Sequence, residues 1–399
     1  MIFEPQKLIH VYYNGENSRL LMGRLLLKER KLFFEYDAKF IKYGLELSPF
    51  KLPLRSGVVA MEERIFDGLF GVFNDSLPDG WGRLLLDRKL MQMGLNPGSL
   101  SPLDRLCFVG CSGMGALSYV PENPNHTRLI HKNLDEIYAE IQNFQEEHED
   151  KFVDDLLILG GSSAGARPKI LIRIQGEDWL VKFRSSADPK DIGAIEYAYH
   201  LMAQDSGVDV PEARFFPSRS GDYGYFGVRR FDRRQDKHIH MHTICGLLHA
   251  DHREPCLDYE IIMKATLFLT RDIGQSKKQF RNAVFNVLSH NRDDHSKNFS
   301  YLMDKKGSWT VSPAYDLTFS SGPGGEHATM IMGEGKNPKL AHLLKLASIS
   351  NIKKLQALEV IDQVIASVNK WKYFANLAGV SKLSTKMIHS SLDNIGRNI

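Results

Sequence analysis

The sequence predicts an α+β fold in which antiparallel strands dominate the first half and helices the second. Three observations carry this expectation. Short runs of alternating, β-branched or aromatic residues bounded by turn signals recur early, as at 8–13 before Asn14-Gly15, and at 170–174 and 179–183 around Gln175-Gly176-Glu177-Asp178. From residue 257 onward, apolar residues recur mostly at helical spacing. Between a helical run ending at Leu288 and a strand-like run at Phe299 lies a stretch too densely polar to be core, Asn291-Arg292-Asp293-Asp294-His295-Ser296-Lys297-Asn298.

With 399 residues the chain can hold two or three domains, or one large bilobal one. Its 43% hydrophobic and 25% charged content is that of a soluble globular enzyme. A formal charge of +3 gives no case for direct nucleic-acid binding. Cys107, Cys111, Cys245 and Cys256 show no CxxC spacing, which points to reduced thiols rather than a disulfide framework. The first residues lack a basic segment leading into an apolar one, and no apolar run approaches membrane length. The expectation is a cytoplasmic protein with no membrane association.

In chain order, residues 8–13, 23–27 and 31–36 read as strands of a small antiparallel sheet. The turn Asn74-Asp75-Ser76-Leu77-Pro78-Asp79-Gly80 feeds a helical pattern through Leu84 to Leu90, with Ser76 or Asp79 as its cap; Asp75, Asp79 and Arg83 read as turn and cap residues. A helix is expected at 101–109, then a glycine-rich turn into a strand ending at Val120. Gly110, Gly113 and Gly115 miss the dinucleotide GxGxxG order. The stretch 121–126 reads as a linker, 134–144 as an amphipathic helix and 146–150 as solvated acid.

The run Gly160-Gly161-Ser162-Ser163-Ala164-Gly165-Ala166-Arg167-Pro168-Lys169 lacks a Walker ending, and strands rather than a helix follow it. A Gly/Ser loop over phosphates leading to a strand with an inward lysine, here Lys182, matches kinase design. A lysine among apolar neighbours needs a partner, and nucleotide phosphate supplies one. Glu196, early in a helix over 195–203, is a candidate partner for Lys182. Strands at 213–217 and 225–231 lead to Phe231-Asp232, where a hinge would grip adenine with Asp232 near the ribose. The later order Asp293-x4-Asn298, strand-turn-strand, Asp316 completes the pattern of a phosphotransferase. In it Asp293 accepts the substrate hydroxyl proton, Asn298 and Asp316 hold Mg²⁺, and Lys297 neutralises charge on the transferred phosphoryl group. Gly322-Pro323-Gly324-Gly325 is a flexible loop, and helices are expected at 340–346, 352–371 and 384–395.

Two plainer readings compete with these. Asp293 or Asp294 could cap a helix, and Asp293, Asp294, His295 and His290 could ligate a cation as in a hydrolase. The five histidines His238, His240, His242, His249 and His252 lack nearby cysteine or an HExxH pattern and read as ordinary loop and helix positions.

These motifs together resemble the HipA-type serine/threonine kinase toxins of bacterial toxin–antitoxin systems, over nearly the whole chain. Phe73-Asn74-Asp75-Ser76-Leu77-Pro78-Asp79-Gly80 is similar to the family's N-terminal signature, and 161–169 to its phosphate loop. The stretches 291–299 and 313–317 are similar to its catalytic and metal motifs. The resemblance implies a bilobal protein-kinase-like fold with an N-terminal antiparallel β-rich subdomain (1–125), a kinase N-lobe (126–233) and a mostly helical C-terminal lobe (234–399). It implies ATP and Mg²⁺ as cofactors, with Ser162, Ser163, Ala164, Gly165, Lys182, Phe231, Asp232, His295, Asn298 and Asp316 around the nucleotide. Ser162, or its neighbour Ser163, would be autophosphorylated. It further implies a translation component as protein substrate, typically an aminoacyl-tRNA synthetase (glutamyl in the best-known case). A HipB-like helix-turn-helix antitoxin would be the partner, with DNA reached only through it. Arg229-Arg230 stands where many relatives have Glu-Arg, and 241–252 departs from the usual acidic pattern. The alternative is a catalytically silent partner of a DNA-binding antitoxin acting in transcriptional repression.

Overall fold

The computed structural model describes residues 4–15, 18–122, 132–146, 152–161, 165–221, 223–235, 237–254 and 257–396. The chain clusters into two compact units, one made of Met1–Asp188, Arg229–His249 and Leu302–Ser308, the other of Pro189–Val228, Ala250–Tyr301 and Trp309–Ile399.

The first unit is built on an antiparallel sheet in the order Val58–Ala60, Lys31–Tyr36, Ser18–Lys28, Leu8–Gly15, Leu117–Val120. Ile9, Val11 and Tyr13 alternate inward from one strand, and Leu32, Phe34 and Tyr36 from another. Each fully buried side chain of this kind contributes about 1.5–3 kcal/mol. Asn14 and Gly15 are not the hairpin turn expected of them: they pair with Arg19 and Ser18 in the ladder. Register follows the buried face, not the turn dipeptide, and a bulge between Val11 and Tyr12 absorbs the shift.

The Gly80–Gln92 helix packs on Val153–Gly160, with the Lys89–Asp154 ion pair at 2.5 Å between them. Asp79 occupies the N-cap position, yet its side chain accepts nothing from that helix. Beyond the Val153–Gly160 helix, the hairpin Lys169–Ile174/Glu177–Lys182 buries Ile170 opposite Val181 and places Lys182 opposite Lys169.

In the second unit the helices Tyr259–Thr270 and Ile273–Leu288 each begin at an aspartate cap. Asp258 accepts from Glu260 N–H at 2.8 Å and Asp272 from Gly274 N–H at 2.7 Å. The run 352–371, expected as one helix, is two, Lys354–Val368 and Trp371–Ala378. Asp205 fixes the break by accepting from Ser367 Oγ at 2.6 Å and Lys370 Nζ at 2.9 Å, while Trp371 turns in against Tyr199, ring centroids 5.4 Å apart. Among the described residues no helix is long and apolar enough to cross a membrane.

Candidate active site

The polar stretch after the Ile273–Leu288 helix is held from beneath by a chain of buried side chains. Asn291 Nδ2 donates to Asn286 Oδ1 at 2.9 Å, and Asn286 Nδ2 donates to the Tyr259 hydroxyl at 2.9 Å. That hydroxyl donates to Asp294 Oδ2 at 2.8 Å. Asp294 Oδ2 also faces His327 Nδ1 at 2.9 Å, and Thr329 Oγ1 donates to the Asp294 carbonyl at 2.5 Å. Asp294 is 0% exposed and His327 4%. Asp294 therefore neither caps a helix nor faces a solvent cation, because its carboxylate is buried against Tyr259 and His327 in the core.

Its neighbour Asp293 is exposed. With Asp294 anchored inward, the preceding carboxylate lies at the surface. Asn298 Nδ2 donates to the Asp293 carbonyl at 2.7 Å, which closes the loop and leaves the amide Oδ1 on the opposite side. Lys297 is half-buried, and its carbonyl accepts from the Tyr315 hydroxyl at 2.6 Å, tying this loop to the segment that carries Asp316. Asp316 is half-buried at φ +54°, a left-handed conformation in which a non-glycine residue is strained; such strain concentrates at functional positions. His295 is half-buried, 5.6 Å ring to ring from His252, and its Nδ1 has no hydrogen-bond partner among the described residues.

An amide oxygen on Asn298 and a carboxylate on Asp316 are hard ligands of the kind Mg²⁺ takes together with phosphate oxygens and water, so the residues fit such an ion. The alternative hydrolase cluster is not formed. Among the described residues no group of three or more His, Cys, Asp or Glu side chains is placed to hold a metal.

The candidate nucleotide residues Gly165, Lys182, Phe231 and Asp232 belong to the first unit; Ser162, Ser163 and Ala164 lie outside the described residues. Gly165 has φ +96°, and a Cβ there would meet Lys169 Nζ. Lys182 is half-buried at the end of its strand, and Phe231 is half-buried beyond Arg230, whose N–H donates to the Asp178 carbonyl at 2.8 Å. Glu196 is buried in the Ile192–Asp205 helix of the second unit.

Asp232, expected near the ribose, is held by the protein's own donors. Only 2% exposed, its carboxylate accepts from Arg230 at 2.7 Å, Arg233 at 2.8 Å and Gly115 N–H at 2.9 Å. Burial pushes its pKa up, but the two guanidinium groups outweigh this and hold it well below the carboxylate range. Burial likewise brings Arg233 down to about 10. With its lone pairs taken inside the protein, Asp232 anchors the Phe231 backbone to the Gly113–Gly115 turn, which Arg233 also grips through both carbonyls.

The histidine segment is structural and more deeply buried than loop positions would be. His242 Nδ1 meets Asp75 Oδ2 at 2.6 Å and its Nε2 meets Ser48 Oγ at 3.0 Å. Thr243 caps the Ile244–Leu248 helix and donates its hydroxyl to Asp75 at 2.7 Å. His240 Nε2 lies 2.9 Å from the Leu47 carbonyl, and burial, then the neighbouring His242, pushes its pKa down to about 3. Sequence reasoning missed Asp75 and Asp294 as anchors and Lys169 as a buried cation, 4% exposed. The available signal was an acid inside a motif whose neighbours were already assigned, and a lysine opening an apolar strand.

Residues 161–372 match the model of the HipA-like C-terminal domain, and residues 9–120 that of the HipA N-terminal domain. The chain is similar to a protein of Sinorhizobium fredii (26% identical over 211 residues, 49% of this chain and 51% of that protein) and one of Haemophilus influenzae (28% over 182 residues, 40% and 52%). Both are named putative kinases, and the chain spans about half the length of these curated relatives. The solved Shewanella oneidensis HipA, in complex with HipB and operator DNA, is similar with a TM-score of 0.71 and 17% identity, covering 97% of this chain and 95% of that one. That likeness is one of fold.

Proposed function

The chain belongs to the HipA family, and on that premise we propose that it is an ATP- and Mg²⁺-dependent serine/threonine protein kinase of the toxin–antitoxin kind. The observation that carries the proposal is the pair of adjacent acids: Asp294 is locked in the core and Asp293 is left exposed, with Asn298 bound to the Asp293 backbone. Asp293 is the base that takes the proton from the substrate hydroxyl as it attacks the γ-phosphoryl group. Lys297 balances charge on that group, and Lys182 and the loop around Gly165 hold the phosphates. Asn298 Oδ1 and Asp316 are the metal ligands. Held there, Mg²⁺ would supply neutralisation of the phosphate charge. The Phe231 segment, held by Asp232, supplies the adenine end, and His295 lies beside the phosphates.

In this proposal Ser162, or Ser163, is the autophosphorylation site, and a phosphate there pulls the loop out of place. The substrate is a translation component such as an aminoacyl-tRNA synthetase. The partner is a HipB-like antitoxin through which DNA is reached, by analogy with the HipB and operator DNA in the Shewanella complex. The kinase acts in the cytoplasm. Intact mass spectrometry after incubation with Mg-ATP tests the core of this. One added phosphate in the parent, lost in both Asp293→Gln and Ser162→Ala, is the expected result. Retention in Ser162→Ala alone moves the site to Ser163. A parent that binds no nucleotide refutes the proposal; one that binds nucleotide and phosphorylates neither itself nor a supplied synthetase is the silent repressor partner instead.

A further inference from the structure

We propose that Asp79, in the N-terminal signature turn, is a positioning residue for nucleotide binding that fixes Gly165 at the end of the phosphate loop. The inference rests on the assignment of 161–169 as that loop. An aspartate at a helix N-cap ordinarily accepts from the second or third N–H of its own helix. Asp79 sits at that position and forgoes this bond. Its Oδ1 instead accepts the N–H of Gly165, a residue 86 positions away at the far end of the Gly/Ser loop.

The same glycine is gripped a second time: its carbonyl accepts from Trp81 N–H at 3.0 Å. Both peptide groups flanking the Gly165 Cα are thus fixed by one turn of the signature, and Gly165 is held at φ +96°, a conformation open to glycine. The approach leaves no room between the two segments. A Cβ on Gly80, itself at φ +43°, would lie 2.5 Å from the Gly165 carbonyl oxygen. The other root of the loop rests on the same helix. Gly160 ends the Val153–Gly160 helix with its Cα close under the Trp81 indole, where a Cβ would lie 3.2 Å from Nε1, and the Lys89–Asp154 pair joins the two helices farther along. With Gly160 and Gly165 both seated on this helix and its cap, the residues flanking the loop have less freedom to lose when phosphate binds, and preorganisation of that kind appears as affinity. The N-terminal signature thereby becomes part of the nucleotide machinery without touching nucleotide.

The test compares the parent with Asp79→Ala, Asp79→Asn and, as a control on the same helix, Arg83→Ala. Exchange of the Gly165 amide is measured by NMR, Mg-ATP affinity by calorimetry, and melting temperature alongside. In the parent the Gly165 amide is protected. In Asp79→Ala that protection is lost and the Kd for Mg-ATP rises about tenfold, ~1.4 kcal/mol. Asp79→Asn retains an acceptor oxygen, keeps protection and stays within about threefold of the parent, as does Arg83→Ala. A merely structural role would lower the melting temperature of Asp79→Ala with affinity unchanged, and that result overturns the proposal. So does persistent protection in Asp79→Ala, or protection lost with affinity intact. A parent that binds no Mg-ATP refutes the phosphate-loop assignment and the positioning role with it, while the exchange data still decide whether the clip exists.

Discussion

Replacing Asp294 by alanine removes the acceptor that the Tyr259 hydroxyl and His327 Nδ1 share at 2.8 and 2.9 Å, in a place with no access to water. Each buried donor left without a partner costs about 1–3 kcal/mol, so the two together predict a loss of about 4 kcal/mol. The Thr329 N–H, at 3.3 Å from Oδ1, is too distant to add much. Asp294→Asn keeps an acceptor oxygen where both donors point but gives up the charge and turns its N–H₂ toward the Thr329 N–H, and about half that loss is expected. Asp293→Ala, one residue away and exposed, changes stability by less than about 1 kcal/mol, since surface substitutions rarely exceed that. Urea unfolding of the three variants and the parent, compared at equal slope, measures these differences. The reasoning fails if Asp294→Ala costs under about 1 kcal/mol, or if the two adjacent alanine variants lose the same amount.

Three further outcomes are expected. Asp293→Gln lowers phosphorylation by at least about a hundredfold, the usual contribution of a general base, with an unfolding curve matching the parent's; phosphate incorporation per folded protein measures it. Asp232→Ala strands Arg230 and Arg233 in the interior and costs about 3–5 kcal/mol, read by the same denaturation series, whereas an exposed ribose contact would cost little stability. The third concerns acid. His240 has a folded pKa of about 3 against an ordinary 6.5, so between these values the unfolded chain binds a proton that the folded chain does not. Its neutral burial is fully tolerated above pH 6.5, and stability falls as pH drops toward 3, by about 1.4 kcal/mol per unit. His240→Gln, which still offers an N–H to the Leu47 carbonyl, should reduce the slope of stability against pH by close to one proton.

Periodicity made the elements legible. The alternation of Ile9, Val11 and Tyr13 and the helical spacing after Leu257 name their structures because burial of one face is a local property of the chain. That 291–298 forms a polar loop between buried flanks was legible for a related reason: a run of acid, base and amide groups is too polar to be core. What sequence could not supply was direction. Asn14-Gly15 carries the strongest local turn signal and still lies in the ladder, since register answers to the buried face of the whole sheet. The histidines of 238–252 look alike in one dimension, yet His240 and His242 are in the core because Leu47, Ser48 and Asp75, far away in sequence, supply their partners.

By itself the sequence determined that this is an α+β chain with a Gly/Ser loop, a strand lysine and an Asp-x4-Asn centre, since residue type and spacing are properties of the chain alone. Only the tertiary structure decided which of two adjacent aspartates reaches solvent, that Asp232 is locked between arginines, and that Asp79 holds Gly165 instead of its own helix. Each of those outcomes depends on which groups compete for one carboxylate. For Asp294, for Asp79 and for the Gly115 contact of Asp232, that competition is settled by residues tens of positions away, brought within hydrogen-bond reach only when the chain has folded.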